Sequence, residues 1–245
     1  MGKRIIQQAR GHGGPTYRSP GHRFVAKPKH RALDENEKKG VVNGIVEDII
    51  KCPGHYAPLA RIKYEDNKIG YIIAPWGLQI NQQISSGALA VLKPGNTIPL
   101  KNIPEGTQIY NIESKPGDLG KMVRSSGEAA RVISKHKGKN IVVKLPSQKR
   151  REFDPECRAT IGIVAGSGRI EKPLFKAGNS YFKNKARNKL YPRTAAGAMN
   201  ATDHPFGSGR GGPTYGGRAS SIAPKNAPPG RKVGMIRPKH TGRNK

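Results

Sequence analysis

The sequence predicts a mostly β protein in which two small β-barrels lie between long, irregular, basic N- and C-terminal extensions. Short β-branched runs recur roughly every 8–12 residues through the middle of the chain, separated by turns that contain Gly or Pro. The charge changes at both ends of this region. Residues 1–33 carry eight Lys/Arg and no acid, and residues 172–245 carry 16 Lys/Arg and one acid, whereas residues 34–171 carry 21 Lys/Arg and 15 acids.

The β-branched runs predict the strands in chain order. They cover residues 41–50, 59–64, 69–74, 79–84, 88–91, 97–100, 107–112, 129–134, 140–145, 152–153 and 159–165. The polar stretch at residues 65–68 predicts a hairpin turn, where Glu65 and Asp66 are expected to be solvated. About 130 residues suffice for two five-stranded barrels, and the composition offers a joint near residues 86–96.

The two extensions cannot build a core of their own. The C-terminal one contains 11 Gly and 8 Pro, and ordering it costs about 1–2 kcal/mol per residue of chain entropy that buried apolar area cannot offset. One short basic helix is predicted around residues 177–188. Because arms of nearly pure positive charge repel themselves, they require a polyanion, and nucleic acid is the obvious candidate.

Several classes of protein are not indicated. Cys52 and Cys157 are 105 positions apart and outside any metal-binding spacing, which predicts buried thiols rather than a metal site or a disulfide framework. No apolar run reaches the length of a membrane span, and the N-terminus does not read as a signal peptide. We therefore expect a cytoplasmic protein with no membrane, metal or small-molecule partner.

Two motifs in the C-terminal extension suggest chemistry but favour RNA contact. Residues 207–212 match GxGxxG, yet no buried strand precedes them and no acid follows, so a dinucleotide site is not predicted. Asp203 and His204 could form an acid–base pair of an enzyme acting on RNA. Because no nucleophile or second carboxylate accompanies them, we expect His204 to contact RNA and Asp203 to form a local turn or bind hydrated cations.

Basic residues with interleaved aromatics predict the contacts, since cations suit phosphates and aromatic rings suit stacking on bases. The densest basic triplet, at residues 149–151, could instead be a solvated hairpin tip. The pentapeptide GGPTY occurs at residues 13–17 and again at 211–215. The predicted contact residues are Arg10, His12, Tyr17, Arg18, Arg23, Lys149, Arg150, Arg151, His204, Arg210, Tyr215, Arg218, Arg231 and Lys232.

Four long segments carry a family resemblance. They are GAMNATDHPFG at residues 197–207, DPECRATIG at 154–162, KPLFKAGN at 172–179 and NAPPGRKVG at 226–234. In these segments the chain resembles the universal large-subunit ribosomal protein L-two family, in its archaeal form, and the resemblance extends over essentially the whole chain. One departure is Ser208, where the family usually has glycine.

The resemblance implies more than the residues alone. It implies an OB-like barrel at residues 34–90, an SH3-like barrel at 91–171, and rRNA-binding extensions at 1–33 and 172–245. Its implied role is structural: organising large-subunit rRNA, supporting subunit association and supporting tRNA binding and peptide-bond formation. Asp203, His204, Pro205 and Gly207 would lie near the peptidyl transferase centre, without His204 being the catalyst, because that centre is RNA.

The implied partners are large-subunit rRNA, the small subunit at the interface, and other ribosomal proteins. No cofactor is expected, and Mg²⁺ is expected only through the rRNA. Two other classes remain as alternatives: an enzyme acting on nucleic acid, and a free-standing chaperone or DNA-compacting protein that binds RNA and DNA alike.

Overall fold

The computed structural model describes residues 3–135, 140–209 and 226–231, which divide between two compact units. One unit spans residues 20–179; the other is formed by the described residues up to 19 and from 180 onwards. The strands are Val41–Ile50 (β1), Leu59–Tyr64 (β2), Ile69–Ile73 (β3), Gln83–Gly87 (β4), Thr97–Pro99 (β5), Gln108–Tyr110 (β6), Ala130–Lys135 (β7), Ile141–Lys144 (β8), Arg150–Phe153 (β9) and Arg158–Ile161 (β10). The α-helices are Ile6–Ala9 (α1), Glu35–Lys39 (α2) and Ala177–Lys185 (α3), and 3₁₀ turns lie at Gly21–Arg23, Leu100–Asn102 and Ala196–Ala198.

The strands form one sheet in the order β3-β2-β1-β4-β5-β10-β6-β7-β8-β9. All neighbours are antiparallel except β4 and β5, which meet through a single parallel pair, Ser86 with Thr97. The mostly β prediction is thus confirmed. The closure expected of a barrel is not seen in this strand pairing, because β3 and β9 are the two ends of the order.

The core of the sheet unit has three parts. One cluster lies among β1 to β4 and a second among β5 to β10. A third joins Cys52, Leu59, Ile73, Tyr110 and Val164, and the Tyr110 hydroxyl donates to the Ile73 carbonyl at 2.9 Å. Cys52 and Cys157 are free, buried thiols, as the sequence predicts, and burial raises the pKa of Cys157 to about 12.

Three element predictions are wrong in detail. Residues 88–91 do not form a strand, because the amides of Ala88 and Leu89 donate to the carbonyls of Glu37 and Gly40 at the end of α2. The preceding strand instead runs over Gln83–Gly87. The helix predicted to end at residue 188 ends at Lys185. None of the helices in the described part of the chain has the length and apolarity needed to cross a bilayer.

Arg158 on β10 is the centre of a buried ionic cluster. It is 1% exposed, and its guanidinium donates to the Glu113 carboxylate, with Nη2 2.7 Å from Oε1. Its backbone amide donates to the other oxygen of Glu113 at 2.9 Å. Nη1 donates to the Arg31 carbonyl at 2.8 Å and to the Glu37 carboxylate. One side chain therefore links β10, α2 and the segment before α2.

The two carboxylates of this cluster respond differently to burial. Burial raises the pKa of Glu37, whereas for Glu113 the opposing hydrogen bonds from Arg158 outweigh burial and lower the pKa. Next to them, Arg31 Nη2 lies 2.7 Å from the Asp66 carboxylate. Its hydrogen bond lowers the pKa of Asp66 to about 2. Asp66 is exposed, as predicted, and the hairpin turn also brings it against Arg31.

Residues 28–30 are held in the same sheet unit. The Pro28 carbonyl accepts from Arg124 Nη2 at 2.7 Å, and the amides of Lys29 and His30 donate to the carbonyls of Tyr71 and Leu119. The buried His30 ring donates from Nε2 to the Asn111 carbonyl at 2.6 Å, since a carbonyl can only accept. Burial, as the largest cause, lowers the pKa of His30 to about 4.

Replacing Arg158 should destabilise the free protein strongly. In Arg158→Met the carboxylates of Glu37 and Glu113 lose their buried partner, which costs about 3–5 kcal/mol of unfolding free energy in comparable cases. The matched control is Lys101→Met, which removes an exposed ion pair with Glu156 and should cost about 1 kcal/mol or less. Urea unfolding of both variants measures this, and equal losses would contradict the central role of the cluster.

Acid should destabilise the protein through His30. The ring is neutral in the folded state down to about pH 4, but it takes up a proton near 6.5 once unfolded. The free energy of unfolding should therefore fall as the pH drops below 6.5, with no contribution from this group above it. Between pH 7 and 5 the wild type should lose about 2 kcal/mol more than His30→Gln, which keeps a donor for Asn111. Urea unfolding at both pH values tests this, and parallel losses would refute it.

Candidate nucleic-acid interface

The part of the N-terminal arm outside the sheet unit, residues 3–19, is built from short local turns. After α1, the amides of Tyr17 and Arg18 donate to the Gly14 carbonyl at 3.2 and 3.1 Å. Among the predicted contact residues in this arm, Arg10, His12 and Arg18 are exposed and Tyr17 is half-buried. The turn thus presents cationic side chains to the surroundings, with one aromatic ring between them.

Asn188 joins this arm to the C-terminal one within their shared unit. Its backbone has φ of +51°, which ends the turn after α3, and the amide of Lys189 donates back to the Asn184 carbonyl at 2.9 Å. The Asn188 side-chain amide donates to the carbonyls of Thr16 and Arg18 at 2.9 and 2.8 Å. The end of the basic helix therefore lies beside the turn that carries Tyr17.

Helix α3 carries an aromatic pair that the sequence-based contact list missed. Tyr181 and Phe182 are 43% and 66% exposed, and their rings meet edge to face with centroids 5.4 Å apart. The Lys185 ammonium lies 5.6 Å from the Tyr181 ring centroid. Exposed rings beside lysines are suited to stacking on unpaired bases. The sequence feature that could have predicted these contact residues is the Tyr-Phe pair among the lysines of this helix.

The loop around His204 is closed by its own backbone. The Asp203 amide donates to the Asn200 carbonyl at 2.9 Å, and the Ser208 amide donates to the Met199 carbonyl at 3.0 Å. Gly207 is required here because a Cβ would collide with the carbonyl oxygens of Met199 and Asn200. Ser208 itself has φ of +65°, a left-handed conformation that favours glycine.

Asp203 and His204 do not form an acid–base pair in this loop. The Asp203 carboxylate lies 2.7 Å from the Lys3 ammonium, whose pKa it raises through their hydrogen bond. His204 Nδ1 accepts from the Phe206 amide at 3.0 Å, and the two rings meet at 5.1 Å. Within the described residues, no group of three His, Cys, Asp or Glu side chains could hold a metal ion. The arrangement supports contact rather than acid–base chemistry.

The basic triplet is divided between the two faces of β9. Lys149 is exposed in the turn before the strand, and Arg150 is exposed on it. Arg151 lies 5.4 Å from the Phe153 ring centroid and donates to the Met122 sulfur at 3.4 Å. Because side chains alternate along a strand, Arg150 and Arg151 start from opposite faces of β9.

Two other predicted contact residues, Arg23 and Arg231, lie within the described residues, and four lie outside them. Arg23 ends a 3₁₀ turn and is exposed, and Arg231 is exposed after a turn. Arg210, Tyr215, Arg218 and Lys232 lie outside the described residues, as does the second GGPTY segment.

A β-sheet unit accompanied by acid-poor cationic arms defines a nucleic-acid-binding protein. Comparison with known families specifies which kind. Residues 3–86 match the family "Ribosomal Proteins L2, RNA binding N-terminal domain", and residues 93–227 match "Ribosomal Proteins L2, C-terminal domain". The chain belongs to the ribosomal protein L2 family, which confirms the resemblance, and it is a structural ribosomal protein rather than an enzyme.

Archaeal relatives match the chain from end to end. The large ribosomal subunit protein uL2 of Methanothermobacter thermautotrophicus is 48% identical over 245 residues, which are 100% of both chains. That of Methanococcoides burtonii is 47% identical over 243 residues, covering 99% of this chain and 100% of its own. That of Halorubrum lacusprofundi is 48% identical over 243 residues, covering 99% and 98% respectively.

A side chain at position 207 should open the His204 loop. In Gly207→Ala the new Cβ displaces the carbonyls of Met199 and Asn200, so the hydrogen bond from the Ser208 amide is lost. Amide hydrogen exchange at position 208 should accelerate roughly three- to tenfold, because this factor corresponds to the net free energy of one hydrogen bond. The matched variant Ser208→Gly relieves the left-handed backbone and should keep the slow exchange. Equal exchange in both variants would show that the loop does not depend on this close approach.

Proposed function

We propose that this chain is a structural constituent of the large ribosomal subunit that binds and organises large-subunit rRNA with its two basic arms. The observation that carries this is the separation of charge: 24 Lys/Arg and one acid lie in residues 1–33 and 172–245 together. Membership of a family with an RNA-binding domain supports it. The printed names of the relatives, which assign them to the large ribosomal subunit, support it as well.

The proposed mechanism is electrostatic and steric. Lysine and arginine side chains neutralise phosphates that would repel each other where RNA helices approach, and the released counterions drive binding. Close backbone turns, such as the one around Gly207, bring amides near the RNA, and exposed rings such as Tyr181 and Phe182 stack on bases. The rRNA supplies the opposing charge that the arms lack.

We propose that the sheet unit consists of two barrel-like halves, OB-like over residues 34–90 and SH3-like over 91–171. Three observations support this division. The first two core clusters lie on opposite sides of the single parallel pair between β4 and β5. The two family matches meet between residues 86 and 93. The charge changes mark the proposed rRNA-binding extensions at 1–33 and 172–245.

The predicted contact residues remain our proposal for the rRNA interface. Exposure of Arg10, Arg18, Arg23, Lys149 and Arg150 supports it. The His204 loop is proposed to lie near the peptidyl transferase centre, where it would shape RNA and support tRNA binding and peptide-bond formation without catalysing it. Contacts with the small subunit and with other ribosomal proteins belong to the same proposal, with Mg²⁺ entering only through the rRNA.

Removing the arms should remove most of the salt-dependent affinity. We compare the full chain with a fragment of residues 20–179, which keeps the buried His30 and Glu37. Each neutralised phosphate contributes about −0.7 to −0.9 to the slope of log K against log salt, so the full chain should show a much steeper slope on folded large-subunit rRNA. Equal slopes would contradict the role of the arms. Equal affinity of the full chain for duplex DNA would favour the chaperone or DNA-compacting alternative.

A further inference from the structure

Three cations stand opposite one another on neighbouring strands of the sheet. The register pairs Arg131 on β7 with Lys144 on β8, and Lys144 with Arg150 on β9. On the other side of β7, Arg131 is paired with Gln108 of β6. All four side chains are exposed. We call Arg131, Lys144 and Arg150 the cationic row.

Strand alternation explains why the row faces outward. Val132 and Val143, the neighbours of Arg131 and Lys144 in sequence, are fully buried in the second core cluster. Side chains alternate along a strand, so the next residues point away from that core. At about 4.8 Å between strands, the three cations span roughly 10 Å from β7 to β9.

This arrangement is unfavourable for the protein alone. Like charges placed directly opposite each other on neighbouring strands are destabilising. Among the described residues, no acid lies within 4.0 Å of any cation of the row. Glu152, two positions from Arg150 on the same strand, accepts instead from Asn140.

Some other cations on the surface of this unit are neutralised. Arg61, Lys68 and Lys101 lie 3.0, 3.2 and 2.6 Å from Glu47, Asp66 and Glu156 respectively. The row differs from these three cations because its members face one another and no acid pairs with them among the described residues. Such a surface is suited to an anion that presents several charges in sequence.

We propose that the cationic row binds the phosphate backbone of an RNA segment, with Arg131 and Lys144 as contact residues in addition to Arg150. This inference rests on the proposed function and names a site on the sheet rather than on the arms. An RNA strand carries one phosphate per nucleotide at regular intervals, which suits cations repeated once per strand. The guanidinium groups of Arg131 and Arg150 can each hold two phosphate oxygens, and Gln108 offers an amide at the end of the row.

The test is rRNA binding by two full-length triple variants with equal charge loss. One variant is Arg131→Gln, Lys144→Gln, Arg150→Gln; the control is Arg61→Gln, Lys68→Gln, Lys101→Gln. On folded large-subunit rRNA, the row variant should lower the steepness of log K against log salt by about 2–3, and affinity near 0.15 M salt should fall on the order of 10- to 100-fold. The control should change the slope by less than about 1.

Thermal unfolding of the free proteins separates binding from a structural role. Removing repulsion should leave the midpoint of the row variant unchanged or raise it at low salt, and weakened rRNA binding with that result supports the site. A lowered midpoint together with control-like binding overturns it. Suppose that the wild type binds rRNA more tightly than duplex DNA, but the row variant binds rRNA as tightly as the control does. The row then does not bind RNA, which is the result expected if it binds an acidic protein instead. If the wild type shows no preference for rRNA, the proposed function itself fails.

Discussion

The guanidinium of Arg158 is the contact on which the arrangement of the sheet unit depends. It ties β10 to Glu113, to Glu37 on α2 and to the Arg31 carbonyl, partners that lie 45, 121 and 127 positions away in sequence. Burying charges is costly unless every one of them is paired and hydrogen-bonded. The cluster therefore holds α2 and the segment before it against β10 through directional hydrogen bonds.

The distribution of acids explains why this chain has an ordered sheet and cationic arms at once. Fifteen of the 16 carboxylates lie in residues 34–171, where Glu37, Asp66 and Glu113 form ion pairs with Arg31 and Arg158. The arms have almost no carboxylate of their own. Their one acid, Asp203, forms an ion pair with Lys3. Nearly all of the positive charge of the arms must therefore be neutralised by another molecule.

Local features were predictable from the sequence, whereas contacts between distant residues were not. The hairpin of β2 and β3 and the start of α3 follow from short patterns of β-branched, polar and basic residues. The Arg158 cluster joins residues more than 100 positions apart, and nothing in its local sequence distinguishes Glu37 from a solvated acid. The false strand at 88–91 has the same cause, because tertiary hydrogen bonds to α2 override a local β preference. The sequence predicts a strand only at residues 152–153, so the opposite faces of Arg150 and Arg151 emerge only from the structure.

The bond between Asn188 and the N-terminal turn also has a consequence in time. Thr16 and Asn188 are 172 positions apart, so the amide that holds the turn does not exist until most of the chain has been synthesised. At about 5–20 residues per second, this interval lasts roughly 10–30 s. During translation the segment of residues 3–19 is therefore made well before its contact with Asn188 can form. A polyanion that meets this segment in that interval encounters its positive charge before its C-terminal partner has emerged.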